Sequence, residues 1–210
     1  MPDPLIRHTG IAAPLLIDNV DTDQIIPSRE MKAVSRTGLA EGLFAGWRYR
    51  SPGSREPVPE FVLNRPGFER ASVLIAGANF GCGSSREHAV WALAEFGFRV
   101  IIAESFNEIF HGNCLRNGVL PVVLKGVSDL RALGWDQATD LTIDLAQQTV
   151  ERADQPGWQG EFDIDAYPKH LLLEGLDPIG LTLKSADVLD QFEQVDRVAR
   201  PWVYKDYSAA

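Results

Sequence analysis

The sequence predicts an α/β fold, and three observations carry that prediction. Across residues 72–124, runs of buried-strand character alternate with helical periodicity in the order strand, helix, strand, helix, strand. Beyond residue 140 the pattern changes to short alternating segments that read as added antiparallel strands. No repeat, low-complexity tract or linker interrupts the chain, so residues 1–210 read as one domain with a loose tail after about residue 200.

Each element has its own justification. Ile11 to Ile17 is an apolar run broken by Pro14, which suits a strand at an edge or near its end. Asp18-Asn19-Val20-Asp21-Thr22-Asp23 follows as a polar loop. Its three carboxylates resemble a calcium loop only superficially, because the central Gly and the bidentate Glu are missing. Thr37 to Pro59 mixes Gly and Pro with Leu43, Phe44, Trp47 and Tyr49, which predicts a long ordered loop or a short helix plus loop.

Ser72 to Ala76 is the first strand of the alternating core. A glycine-rich loop from Gly77 to Ser85 leads into a helix over Arg86 to Phe96, stopped by Gly97. Arg99 to Ala103, Phe106 to Arg116 and Val119 to Leu124 supply the next strand, helix and strand. A parallel sheet follows from that order. Leu141 to Leu145 and Gln148 to Arg152 form a hairpin pattern, Glu161 to Ile164 a further strand, and Tyr167 to Leu173 and Ala186 to Val195 two helices.

Composition narrows the function classes. The chain has 210 residues, a net charge of -9 and no basic run, which argues against nucleic acid or an anionic membrane as partner. No stretch is long and apolar enough to span a bilayer, and Met1 to Gly10 lacks the pattern of a secretory signal. The chain reads as unprocessed and cytoplasmic. Two cysteines fall short of the four thiolates that usually hold an iron–sulfur cluster, so no metal is expected on this chain.

Gly81-Cys82-Gly83-Ser84-Ser85-Arg86-Glu87-His88 sits where a strand gives way to a helix. Ser84 with Glu87 three residues later fits a capping box, with Ser85 as the alternative cap. A helix N-terminus, two glycines and the planar fork of Arg86 together suit a small anion such as a carboxylate. A dinucleotide fingerprint needs a third glycine where Arg86 stands, and a hydrolase elbow needs Gly-x-Ser-x-Gly; neither fits. Plain helix capping beside a surface arginine remains the alternative.

Several segments together carry a family resemblance: Asp18 to Pro27, Arg36-Thr37-Gly38, Asn79 to Ala89, Ser105-Phe106, Asn117 to Pro121 and Leu176 to Leu183. They resemble the swivelling domain of the aconitase superfamily and, more narrowly, the small-subunit family of 3-isopropylmalate dehydratases. The resemblance implies a hydro-lyase of leucine biosynthesis. Its substrate, a small dicarboxylate, loses water across a carbon–carbon bond and regains it with the opposite placement. It further implies a partner, the large subunit, that carries a 4Fe-4S cluster, with none bound by this chain alone.

Carried over residue by residue, the resemblance makes Ser84 the catalytic base and Ser85 and Arg86 the grip on a substrate carboxylate. Arg36 falls near a second substrate-binding arginine. Asp23, Gly83 and His88 are supporting residues: Asp23 orienting an arginine or His88, Gly83 allowing close approach, His88 a structural hydrogen-bonder. Cys82 is not a cluster ligand. The side group of the substrate would be read by the loop after Pro27, where Met31, Ala33 and Val34 suit an isopropyl group while Arg29 and Lys32 suit a further carboxylate. The alternatives are a related hydro-lyase acting on homocitrate, citramalate or dimethylmalate, and a non-catalytic anion-binding module.

Overall fold

Strand composition decides which faces of the sheet are covered. Val73–Ala76 (β2) and Val100–Ala103 (β3) are buried at every position, so both faces must be packed. In Thr139–Asp144 (β5) burial instead alternates, with Leu141 and Ile143 inward and polar residues between them. Arg7–Leu15 (β1), Leu120–Lys125 (β4), Thr149–Arg152 (β6) and Gln159–Phe162 (β7) complete the set. The computed structural model describes residues 3–31, 36–83, 86–125, 130, 132 and 134–204.

The seven strands close into a barrel in the order β1-β2-β3-β4-β7-β6-β5. Neighbours from β1 to β4 are parallel, and the remaining pairings are antiparallel. The sequence foretold the parallel run and the added antiparallel strands but not their closure. Closure comes from β1, whose first half pairs with β5 from Arg7 to Ala12 and whose second half pairs with β2 from Ala12 to Leu15. The β5 ladder stops two residues before Pro14, where no second neighbour asks for the missing N–H. Among the described strands no edge is left without a neighbour.

Two hydrophobic clusters follow from the alternation. The barrel interior holds Ala12, Val73, Ile75, Val100, Ile102, Leu120, Val122, Leu141, Ile143, Val150 and Phe162. The outward residues of the same parallel strands, Ala13, Leu74, Ala76, Ile101 and Ala103, pack against the helices instead. A one-residue slip in any of these strands would exchange the two sets.

Helix Glu87–Phe96 (α3, following the one-turn helices Thr22–Ile25, α1, and Ala45–Arg48, α2) buries Ala89, Val90, Ala92 and Leu93 on that outer layer. Gly97, at φ 120°, ends it. The N-cap residue is Arg86, which makes no side-chain cap bond, and Glu87 opens the helix; the expected cap residues Ser84 and Ser85 lie outside the described residues. The Glu87 carboxylate accepts a hydrogen bond from Asn117 at 2.9 Å. Helix Glu108–Arg116 (α4) is capped by Asn107, whose side chain accepts from the N–H groups of Ile109 and Phe110.

Helices Ala166–Glu174 (α5), Pro178–Leu183 (α6) and Ala186–Ala199 (α7) follow the barrel. The sequence pattern missed α6, although Asp177 as cap and Pro178 at the first position mark its start. Pro201–Tyr204 forms a 3-10 turn tied back through the Tyr204 hydroxyl, which donates to Asp196 at 2.8 Å. The stretch expected to be loose after about residue 200 thus begins with an ordered turn, and residues 205–210 lie outside the described residues. No described helix is long and apolar enough to cross a membrane.

Candidate active site

Three loops leave the C-terminal ends of β1, β2 and β3 and are laced together by backbone bonds. Gly81 donates to the Val20 carbonyl at 2.8 Å, and Thr22 donates to that of Cys82 at 2.9 Å. Phe80 donates to Ser105 and Asn107 to Phe80, each at 3.0 Å. Side chains add to the lacing: Asp18 accepts from the Ala78 N–H at 2.8 Å, Ser105 from that of Asn79 at 2.8 Å, and Asn79 donates to Asn19 at 2.9 Å. Ligands of open parallel sheets bind outside the carboxyl ends of the strands, and here the connections leaving those ends carry Asp23, Gly83 and Arg86.

Gly81 is where this lacing is tightest. Its φ is 74°, in the left-handed region, and a Cβ there would lie 2.1 Å from Cγ of Phe110. Phe110 is 2% exposed and packs edge-on against Phe80 with ring centroids 5.4 Å apart. Gly83, at φ 88°, continues the turn beside Asp21, whose Cβ would be 3.4 Å from a Cβ on Gly83.

Helix α1 presents Asp23. Its start is secured by a capping box of Asp21 and Gln24: Asp21 accepts from the Gln24 N–H at 2.7 Å, and Gln24 accepts from the Asp21 N–H at 2.8 Å. A capping box thus occurs at α1, built from Asp and Gln. Asp23 pairs with Arg86 through Oδ1 and Nη1. Ser28 completes the cluster, accepting from Arg86 Nη1 at 3.2 Å and donating to Asp23 Oδ1 at 3.1 Å. A cavity of about 410 Å³ adjoins them, lined by Asp23, Gln24, Pro27, Ser28, Arg29, Gly46 and Trp47.

Arg36 and His88 form a separate group. The Arg36 guanidinium lies 5.0 Å from the centroid of Trp91, and the His88 ring lies 4.7 Å from the same indole. Trp91 donates to Asn117 at 3.0 Å, and Asn117 in turn donates to Glu87, which fixes the first two turns of α3 against the end of α4. Among the described residues no bond joins this group to the Asp23–Arg86–Ser28 cluster. Ser84 and Ser85 lie outside the described residues, between Gly83 and Arg86.

Glu95, near the end of α3, holds the start of the loop that follows Arg36. One carboxylate oxygen accepts from Gly38 at 2.6 Å, and the other accepts from Leu39 at 2.5 Å and Ala40 at 2.9 Å. Burial works against ionisation of Glu95, but the three N–H donors outweigh it and hold the group below the ordinary carboxylate range. Sequence reasoning missed both Glu95 and Ser28. Glu95 gave no signal, since its partners are over 50 residues away in the chain. Ser28 follows Pro27 directly and was noted only as part of a loop.

The cysteines divide in character. Cys114 is fully buried, and burial pushes its thiol far up. Cys82 is half-buried, with its thiol donating to the Asn19 carbonyl at 3.3 Å. No group of three or more His, Cys, Asp or Glu side chains able to hold a metal occurs among the described residues.

A barrel with a parallel half, whose loops bring an aspartate and an arginine together beside a Gly-Cys-Gly turn, is an aconitase-type C-terminal domain. The family model for the aconitase C-terminal domain matches residues 3–126, and the model for the C-terminal domain of the 3-isopropylmalate dehydratase small subunit matches residues 179–205. The chain belongs to the family of 3-isopropylmalate dehydratase small subunits. It is 55% identical to the protein of that name from Cupriavidus necator over 97% of this chain and 99% of the other. It is 48% identical to that from Sinorhizobium fredii over 95% and 99%. The crystal structure of 3-isopropylmalate dehydratase from Methanocaldococcus jannaschii superposes with a TM-score of 0.65 at 25% identity, covering 89% of this chain and 99% of that one.

Proposed function

We propose that this chain is the small subunit of 3-isopropylmalate dehydratase, a hydro-lyase that interconverts 2- and 3-isopropylmalate in leucine biosynthesis. Near-full-length relatives carrying that name support the reading. The observation in the molecule that carries it is Arg86, held by Asp23 at the N-terminus of α3 and half-buried beside a cavity. A fixed cation in that position suits a substrate carboxylate whose charge grows as the adjacent carbon loses its proton.

In this reading Arg86 and Ser85 bind the carboxylate, and Ser84 accepts the proton as an alkoxide. A serine alkoxide needs stabilisation, which the helix N-terminus and the Arg86 charge supply. Arg36 contributes positive charge from its seat on Trp91. The donors of this chain do not fit an iron–sulfur cluster: one thiol is sealed in the core and the other is bonded to backbone. The reading therefore assigns the 4Fe-4S cluster to a cytoplasmic partner, the large subunit, against which this chain closes the site and excludes water.

Ala33 and Val34, expected to read the side group of the substrate, lie outside the described residues, and in this reading the cavity beside Ser28 takes that group. Pro27, Gly46 and the face of Trp47 give it an apolar wall, and Trp47 is fixed by stacking on Phe44 with centroids 6.0 Å apart. Arg29 at the same cavity favours a second reading, a sister hydro-lyase whose substrate bears a third carboxylate. Its Nε lies 3.5 Å from Glu30, but that carboxylate is bonded by Arg55 at 2.7 Å, so it offsets the Arg29 charge only in part, and the preference for an isopropyl group rests on the relatives.

The test is anaerobic reconstitution with the large subunit. Turnover of isopropylmalate is expected, and its absence in a complex with an intact cluster would sink the proposal. Ser84→Ala should assemble normally and lose turnover by at least about 100-fold, the usual contribution of a positioned base. A near-normal rate would remove Ser84 as the base.

A further inference from the structure

Helix α7 makes little use of the body it is attached to. Along its 14 residues only Asp196 is buried and only Ala186 is half-buried. Among the described residues its hydrogen bonds and ring contacts run within the helix, to the residues beside it and to the turn at Pro201–Tyr204. Arg200 and Tyr204 donate to Asp196 at 2.6 and 2.8 Å, and the Arg197 guanidinium lies 4.3 Å from the centroid of the Tyr204 ring. The turn therefore covers the side of the helix that carries Asp196 and Arg197.

The opposite side is apolar and open. Val188, Phe192, Val195 and Ala199 recur at intervals of four, three and four, which puts them on one helix face. Phe192 is 59% exposed and Val195 72%, and Trp202, just beyond the helix, is 60% exposed. A lone helix of this length is marginal in water, and the β-branched Val188, Val195 and Val198 weaken it further. An amphipathic helix gains its stability by burying its apolar face, so this one is built to be covered.

Two observations say what covers it. The match to the aconitase C-terminal domain ends at residue 126, while residues 179–205, which hold the whole face, match the C-terminal domain of the 3-isopropylmalate dehydratase small subunit. What a small subunit needs beyond the shared domain is a hold on a separate large subunit. Charge then disfavours a second copy of this chain. Asp187, Asp190, Glu193 and Asp196 stand against Arg197 on the helix and Arg200 after it, so two such helices would repel. Both arginines are already paired, and Asp187, which borders the apolar face, and Asp190 have no ion-pair partner among the described residues. We propose that the apolar face of α7 is a docking surface for the large subunit, which meets it with an apolar groove bordered by Lys or Arg. This rests on the hydro-lyase reading for the identity of the partner, but the need of the helix for a cover does not.

The test mixes the full chain with its cluster-bearing large subunit under anaerobic conditions and reads assembly by sedimentation. Phe192→Ala combined with Val195→Ala strips the face while raising helix propensity, so the helix itself is kept. Assembly should weaken by at least about 30-fold, the scale of a lost interface anchor. The urea midpoint of the small chain alone should not fall, and an excess of large subunit should restore the wild-type kcat. Asp187→Lys combined with Asp190→Lys should weaken assembly more at low salt than at high salt. Wild-type affinity in the double alanine variant would overturn the proposal. So would a wild-type chain that sediments alone as a dimer and, with the two alanines, as a monomer, since that gives the face to a second copy. A wild-type pair that assembles through this face without turning over isopropylmalate counts against the substrate and upholds the docking surface.

Discussion

The two halves of the barrel are built by different rules. In the parallel half, β2 and β3 are buried on both faces, because α3 and α4 cover the outside. In the antiparallel half, β5, β6 and β7 bury one face and leave the other toward solvent. Parallel strands need a crossover each time the chain returns, so long connections gather at one end of the strands. The β5–β6 hairpin, by contrast, turns within residues 145–148. Every described candidate residue, from Asp23 and Arg36 to Gly83, Arg86 and His88, lies on a connection of the parallel half. The difference teaches that chemistry here follows the length of the connections, with the hairpins serving to close the barrel.

If the lacing of those connections is what makes the site, breaking it at its tightest point should cost most. Gly81→Ala puts a methyl group into the Phe110 ring at a backbone conformation that alanine resists. Phe110 is locked between Phe80 and Phe106 and has nowhere to move. Strain and overpacking together should destabilise the chain by about 3 kcal/mol. Urea denaturation reads this directly; a loss below about 1 kcal/mol would mean that the loops give way and that the frame is not rigid.

A smaller effect is expected at Glu95, which ties the loop after Arg36 to α3. A glutamine has one acceptor oxygen where the carboxylate uses two, so Glu95→Gln should cost about 1 kcal/mol near neutral pH, allowing for solvent around the group. The sign of the pH dependence is fixed. The folded group sits below its ordinary value of 4.5, so its contribution is fully present above that value and fades as pH falls through the folded one. The gap in urea midpoint between wild type and Glu95→Gln should therefore close on acidification below about 4.5. A gap that stays constant would show that the three N–H bonds do not hold the charge.

The halves also differed in how far the sequence spoke for them. The parallel run was legible because buried strands and amphipathic helices have different periods, and Gly97 and Asn107 mark helix ends through local rules. Arg86 and Asp23 were legible through the family's motifs. Closure was not, because the pairing of β1 with β5 joins residues more than 120 positions apart and no local pattern encodes it. The capping box expected at α3 involves Ser84, outside the described residues. Ser84-x-x-Glu87 satisfies the spacing, but the helix takes Arg86 as its N-cap and Glu87 is drawn off by Asn117 from the end of α4. Ser28 and Glu95 escaped notice because Arg86 lies 58 residues from Ser28 and the N–H groups held by Glu95 lie 55 to 57 residues from it.

The smallest effect is expected in the antiparallel half, and there the comparison is sharpest. Thr142 points outward from β5, and its hydroxyl meets that of Thr9 on β1 at 2.8 Å on the exposed face. Thr142→Val keeps the β-branch that suits a strand and removes only this bond, so stability should change by no more than about 0.5 kcal/mol. Turnover and KM of the reconstituted complex should not move, because the substitution touches none of the loops that hold Asp23 and Arg86. A severalfold loss of turnover with normal stability would place the outer face of the hairpins against the large subunit. The antiparallel half would then be part of the working surface, and its short turns would no longer mark it as scaffold alone.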